Sequence, residues 1–581
     1  MVNLEQSLTQ RLADAFAAVA GEPADPVLRR SQRADFQANG AIALGKRLGR
    51  NPRELAAEVL AQARLDDLCS AAEVAGPGFI NLTVSGEAMG RMLAEAAGDE
   101  RLGVDRTPHG DTAIVDYSAP NAAKEMHVGH LRSTIIGDAT SRLLQWRGDE
   151  VLRENHIGDW GTPFGMLVEH LVDIGEAEAA HELSVGDLGT FYQAARKKFN
   201  ADEAFRERAR QRVVLLQGGD EATLRMWRLL VEQSKRYFMA VYARLGVQLT
   251  DGDFAGESFY NDQLADVVGE LDKLGMLRLS DGAKCVFPEG FTNRDGDPLP
   301  IIVQKSDGGF GYGATDLATI RHRIRDLHAT RILYVIGLPQ SQHLQMVFET
   351  AREAGWLHPP VRAEHIGFGS VLGEDGKMLA SRSGVSVKLA DLLDEAVTRA
   401  AALIAEKDPD LDEAGRAEVA RAVGIGAVKY SDLSTDRTKD YVFSWDRMLS
   451  FDGNTAPYLQ YAHARIRSIF RRAGTGAPIR PDAPAGPDAA VAVAEPAERA
   501  LALKLLGFAA VLEEVGKSLE FHKLCGYLYE LSAAFTGFYE NCPVLRSQGT
   551  VRDSRLVLCD LTSRTLATGL GLLGIDAPDR M

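Results

Sequence analysis

A chain of 581 residues with 45% hydrophobic and 25% charged side chains is a globular protein of about three or four domains. Its net charge of −16 argues against diffuse nucleic-acid binding, and leaves room only for a shaped RNA met by local basic patches such as Arg465, Arg467, Arg471 and Arg472. The five cysteines are far apart with no partner at zinc-ligand spacing, and no apolar run reaches membrane-spanning length; reduced thiols, no zinc and a cytoplasmic location are expected.

The first unit covers residues 1–105. Its spacing predicts helices over 4–20, 26–48 and 52–63, and a β-like stretch from Gly78 to Val84 that carries Phe79 and Asn81. Gly40 to Lys46 follows the first half of a Walker A loop, but Arg47 stands where a Mg²⁺-binding Ser or Thr is needed, and the segment reads as helix. Gly98 to Gly110 reads as a linker.

The second unit, 106–390, alternates strands and helices in the manner of a doubly wound parallel sheet. Strands are expected at 112–118, 151–155, 300–304 and 331–336, with a mostly helical insertion at about 170–300. Residues 391–453 read as a helical connection and 454–581 as a helical domain, with runs at 457–472, 498–519 and 521–539. The Ala-, Pro- and Gly-rich stretch 473–497 reads as a mobile loop. The fold class is therefore α/β: a Rossmann-type parallel-sheet domain with an insertion, an N-terminal α+β domain and an all-helical C-terminal domain.

Chemistry concentrates in Pro120-Asn121-Ala122-Ala123-Lys124-Glu125-Met126-His127-Val128-Gly129-His130. Pro120 and Asn121 stop the first strand, and a helix begins near Val128, so both histidines fall at a helix N-terminus, where N–H groups and the helix dipole favour phosphate. Gly129 would let a flat purine approach the backbone. Lys124, His127 and His130 suit donors to a polyphosphate undergoing substitution. The His-x-Gly-His pattern alone would equally serve a small-molecule nucleotidyltransferase.

The surrounding residues, Ser118 to Thr134, resemble the HIGH region of class I aminoacyl-tRNA synthetases, and of arginyl-tRNA synthetases in particular. Four further stretches resemble the same family: His156 to Leu167, Asp307 to Asp316, Gly453 to Tyr461, and Leu572 to Met581. The resemblance implies activation of L-arginine by ATP with Mg²⁺ to arginyl-adenylate and pyrophosphate. Transfer to the 3′-terminal adenosine of tRNA(Arg) would follow, in a monomer that needs tRNA even for the first step. It implies Ser118 and Asn121 at the amino acid's α-amino and carboxylate groups, Tyr312 and Asp316 at the guanidinium, and Glu257, Asp116 and Gln342 as weaker contacts. A planar, permanently charged guanidinium calls for such a carboxylate and aromatic wall.

The second class I motif corresponds to Gly376-Lys377-Met378-Leu379-Ala380-Ser381-Arg382-Ser383-Gly384, with Ala380 where a lysine usually stands. Lys377 and Arg382 remain candidate phosphate contacts, and Lys124 is the compensating charge that the family carries upstream of its first motif. For tRNA, the resemblance implies Phe79 and Asn81 at the outer corner, and Tyr458, Tyr461, Arg465 and Met581 at the anticodon. Phe79 is equally a core strand residue, and the tyrosines equally a buried helix seam. A non-catalytic tRNA-binding paralogue is the reading of a different class.

Overall fold

The computed structural model describes residues 3–108, 110–175, 188–379, 387–407, 411–474 and 491–581. Ala380 and Arg382, and the 475–490 part of the expected mobile loop, lie outside the described residues.

The N-terminal unit opens with helix Leu4–Ala20, whose Leu4, Leu8, Leu12 and Phe16 are buried. The expected helix at 26–48 is corrected. Val27 takes a positive φ of 52° after Pro26, and the chain then runs as an antiparallel pair, Leu28–Arg30 and Phe36–Ala38, before a helix covers Gly40–Leu48. Phe36 and Ala38 point inward about the half-buried Gln37, a two-residue period that the flanking helical spacing conceals. These strands join Phe79–Val84 and Cys69–Ala75 in a four-stranded antiparallel sheet.

The central sheet is parallel, in the order Arg362–His365, Arg331–Tyr334, Thr112–Asp116, Glu150–Glu154. Ala113, Val115 and Leu333 face one core, while Ile114, Ile332 and Tyr334 face the other. Apolar residues on both faces are what a sheet covered on both sides requires. The chain leaves Thr112–Asp116 for neighbours on either side, so the strand order reverses at its carboxyl end, where open α/β sheets bind ligands. The 300–304 strand is corrected: Ile301–Gln304 instead pairs antiparallel with Ala283–Val286, which pairs with Arg278–Ser280 in a small separate sheet. The polar Arg362–His365 strand carries no apolar alternation and was not expected.

Asp116 and Glu154 are register partners in the central sheet, and both carboxylates are buried. Arg323, fully buried on helix Tyr312–Arg325, donates Nε to Glu154 at 2.7 Å and Nη2 to Asp116 at 2.8 Å. Asp116 thus enters the site already paired with Arg323 through Oδ2.

Helices Leu389–Lys407 and Glu413–Leu433 connect the sheet to the helical domain, and buried Arg132 pairs with buried Asp432 across that junction at 3.1 Å. The C-terminal helices are Ala456–Ala473, Pro496–Leu505, Phe508–Ser518, Phe521–Asn541 and Gly549–Leu572; the expected 498–519 helix is broken around Gly507. The N-terminal unit packs directly on this domain. Arg499 pairs with Asp35 and donates to the Val84 carbonyl at 2.8 Å, Arg564 donates to the Ala97 carbonyl at 2.8 Å, and the Val491 N–H donates to the Gly90 carbonyl at 3.2 Å. A Cβ on Gly90 would lie 2.2 Å from the Val491 carbonyl oxygen, so glycine is what allows that approach. No helix among the described residues is long and apolar enough to cross a membrane.

Arg323→Met is expected to lower unfolding stability by about 3–5 kcal/mol, because two buried carboxylates lose their only shared cation. Urea unfolding of the purified variant checks it; a loss below about 1 kcal/mol would mean the triad is not a major brace.

Candidate active site

Between Asp116 and Val128 the chain makes a turn in which Ser118, Ala119 and Ala123 take positive φ values of 73°, 45° and 59°. For residues with a Cβ these conformations cost energy and persist only where the surroundings hold them. The inserted helix Glu221–Leu245 supplies two of the restraints: buried Ser234 Oγ accepts the Ala123 N–H at 2.8 Å, and Tyr242 Oη lies 2.7 Å from Ser118 Oγ. Asn155 supplies another, accepting the Ala119 N–H at 3.0 Å while donating to Tyr242 Oη at 2.9 Å. Thr134 also donates to Ser118 Oγ, at 2.9 Å. The Ser118 hydroxyl is thus buried and already engaged, so it acts as a lock on the turn and not as an open ligand group. Asn121 is exposed beside Gly158, with which it bridges.

The turn delivers two imidazoles to the N-terminus of helix Val128–Arg147. His127 is the N-cap: its Nδ1 accepts the Gly129 N–H at 3.0 Å, and its own N–H donates to His130 Nδ1 at 3.1 Å. Their ring centroids are 4.1 Å apart. With both Nδ1 atoms accepting, each neutral ring carries its proton on Nε2 and presents it as a donor. Burial, then the neighbouring Lys124 charge, lowers the His127 pKa; burial and then His127 hold His130 down at about 4. Both rings are neutral donors at pH 7. A Cβ on Gly129 would lie 2.7 Å from His127, so this glycine makes room for the imidazole itself, a reason distinct from the purine approach read from sequence.

Lys377 sits exposed in a hairpin after strand Val371–Leu372, whose Leu372 bridges Met378. On the far side of the undescribed segment, the Val128 N–H donates to the Val387 carbonyl at 3.1 Å, and the Leu389 N–H donates to Met126 at 2.9 Å. Lys388 adds an ion pair to Glu125 at 2.8 Å. The 387–389 segment is therefore laced to the first motif.

A cavity of about 1100 Å³ is walled by Trp160, Glu257, Tyr312, Gln342 and His343 and, from the insertion, Leu216 and Leu224; Trp160 lies two residues beyond Gly158, which bridges Asn121 of the turn. Tyr312 begins helix Tyr312–Arg325 and is 72% exposed, with Asp316 one turn on. Asp316 accepts from His343 Nε2 at 2.6 Å, and the His343 ring lies 5.1 Å from that of Tyr312. His343, beside Gln342 in the first turn of helix Ser341–Glu353, is the cavity residue that sequence reasoning missed. The Ser341-Gln342-His343 run at a helix start was its one signal. Burial raises the Glu257 pKa to about 7; nearby Asp159 and Asp316 add to the rise, and His156 opposes it. A buried carboxyl held near 7 fits a permanently charged guest, which would draw it into its ionised form.

The RNA candidates divide between the terminal units. Phe79 and Asn81 lie on the outer, half-buried side of their strand, with Ile80, Leu82 and Val84 inward, so Phe79 is not a core residue. Gln37 donates to Asn81 Oδ1 at 2.7 Å. On helix Ala456–Ala473, Tyr461 is 44% exposed, Arg465 is exposed with its guanidinium 5.0 Å from the Tyr539 ring, and Tyr458 is half-packed against Tyr529. Met581 is half-buried.

A parallel sheet whose switch point carries a neutral His-x-Gly-His pair at a helix start, with a helical domain beyond it, is the arrangement of a class I aminoacyl-tRNA synthetase. Residues 93–445 match the catalytic domain described as tRNA synthetases class I (R); residues 3–84 match the arginyl tRNA synthetase N terminal domain, and 459–581 the DALR anticodon binding domain. The arginine–tRNA ligase of Thermobifida fusca is 54% identical over the whole of both chains, and that of Streptomyces avermitilis 48%. Among solved structures, the arginyl-tRNA synthetases of Plasmodium falciparum and Thermus thermophilus superpose over the full length of both chains with TM-scores of 0.84 and 0.82, at 28% and 27% identity. The chain belongs to the arginyl-tRNA synthetase family.

A carboxyl with its pKa near 7 is protonated below that pH, and a bound guanidinium needs it ionised. Affinity for a guanidinium ligand is therefore expected to rise about tenfold per pH unit up to 7 and then level off, with proton release on binding. Calorimetric titration between pH 5.5 and 8.5 checks this; a Glu257→Gln variant that kept the same slope would assign the proton elsewhere.

Proposed function

We propose that this chain is an arginine–tRNA ligase in which the 120–130 turn activates the amino acid and the two terminal units hold tRNA(Arg). The observation that carries the reading is the acidic cavity opening beside a phosphate-ready helix start. One carboxylate oxygen of L-arginine attacks the α-phosphorus of Mg-ATP in line, the bond to the bridging oxygen breaks, and pyrophosphate leaves with the bonding pair. A ribose hydroxyl of the 3′-terminal adenosine then attacks the adenylate's carbonyl carbon, releasing AMP and a proton. No protein nucleophile is needed; the work is positioning and charge stabilisation.

In this reading the Nε2–H donors of His127 and His130 meet phosphate oxygens, and Lys124 adds the positive charge that Ala380 leaves out of the second motif. Arg382 and Lys377 are further phosphate contacts, and Gly129 leaves the approach open. Asp316, Tyr312 and Glu257 hold the guanidinium, with His343 keeping Asp316 aligned until the guest arrives. Asn121 and Gln342 contact the rest of the amino acid. Phe79 and Asn81 read the outer corner of the tRNA; Tyr458, Tyr461, Arg465 and Met581 meet the anticodon loop. One chain supplies the turn, the cavity and both RNA faces, which supports a monomeric working unit, and its use of ATP and tRNA supports a cytoplasmic location.

ATP–pyrophosphate exchange with each amino acid, with and without tRNA, is the deciding experiment: exchange is expected with arginine alone, and only when tRNA is present. Exchange with another amino acid would sink the assignment. Asp316→Ala is expected to raise the arginine KM by a factor of a hundred or more, on the order of 3 kcal/mol for an unpaired guanidinium. An unchanged KM would remove Asp316 from the pocket. Tyr461→Ala should weaken tRNA binding by about 1–3 kcal/mol, the worth of one stacked base, while leaving arginine KM alone; unaltered tRNA binding would clear that helix face of the role.

A further inference from the structure

Lys124 is the charge on which the phosphate chemistry leans, yet its side chain is exposed and long, and a free lysine spreads over many rotamers. Its adjacent carboxylate, Glu125, is taken by Lys388 at 2.8 Å, and among the described residues no carboxylate pairs with Lys124. What does meet its ammonium is an aromatic face: Nζ lies 4.8 Å from the ring centroid of Tyr192, within cation–π range. Tyr192 comes from the inserted helix Leu188–Ala201, whose Leu188, Phe191 and Ala195 are buried at helical spacing, leaving Tyr192 half-exposed beside that seam. The backbone just before Lys124 is fixed by the insertion too, through Ser234 Oγ and the Ala123 N–H. The lysine is thus held at both ends by the inserted helices, its root by a hydrogen bond and its tip by a ring.

We propose that Tyr192 is the positioning residue for Lys124, its ring face holding the ammonium at the histidine end of the turn where the phosphates lie. The inference rests on Lys124 acting at the phosphates. Lys124 lowers the pKa of both His127 and His130, which agrees with an ammonium kept close to the imidazoles. The insertion, 68 residues along the chain from the lysine, then sets how much of the time the charge is in place. A phenyl ring has the same face as a phenol, so the hydroxyl is dispensable and the ring is not.

The test is a double-mutant cycle on the full-length enzyme with tRNA, reading the rate of adenylate formation and the arginine KM separately, with thermal unfolding as a folding control. Tyr192→Phe should keep the wild-type rate. Tyr192→Leu should lower the rate about 2- to 5-fold, what a partly exposed cation–π contact is worth, with arginine KM unchanged. In a Lys124→Ala background, Tyr192→Leu should add nothing. A Tyr192→Leu variant at the wild-type rate, or one whose loss is undiminished without Lys124, overturns the proposal. Lys124→Ala at the wild-type rate would instead overturn the role given to Lys124, and the proposal with it.

Discussion

Three residues other than glycine in one short turn carry positive φ, and the rest of the structure is arranged to keep them there. Conformations of this kind cost on the order of 1–3 kcal/mol each. Without that turn the helix would start elsewhere, and His127 could not cap it while receiving the Gly129 N–H. The restraints come from every side: Asn155 at the end of the neighbouring strand, Ser133 and Thr134 on the helix itself, Ser234 and Tyr242 from the insertion, and the 387–389 segment by backbone pairing. The insertion is therefore part of the catalytic framework as much as a wall of the cavity.

Charge is handled in two opposite ways within a few residues. Inside the sheet, Asp116 and Glu154 share the Arg323 guanidinium and are sealed from water, so they brace the sheet against its helix. At the cavity, burial raises the Glu257 carboxyl to about 7, with Asp159 and Asp316 adding to the rise, so it is poised to release a proton. Carboxylates inside the sheet and at the cavity look alike as letters. The difference lies in whether an arginine from a neighbouring helix reaches them.

That difference marks what the sequence could and could not tell. The parallel sheet, the insertion and the helical terminal domain were legible because apolar runs and turn residues repeat at the right periods. The motif from Pro120 to His130 was legible because its residues are contiguous. The contacts of Asp116, Ser118, His343 and Tyr192 were not legible, because each is made with a partner that lies 27 to 207 positions away in the chain. The segment at 26–48 failed for a local reason: strands three residues long give too little alternation to outvote the helical spacing around them.

The direct packing of the N-terminal sheet on the C-terminal helices has a consequence for recognition by distance. Arg499, Arg564 and the Val491–Gly90 contact join the two units without passing through the catalytic sheet. The outer face carrying Phe79 and the helix face carrying Tyr461 are thereby fixed at one separation, like the jaws of a locked calliper. An RNA that spans both finds the gap already set and spends no free energy immobilising a hinge. Should both faces meet one RNA, a partner whose two contact points are too near or too far would satisfy only one jaw, and the scaffold would measure folded length before any base is read.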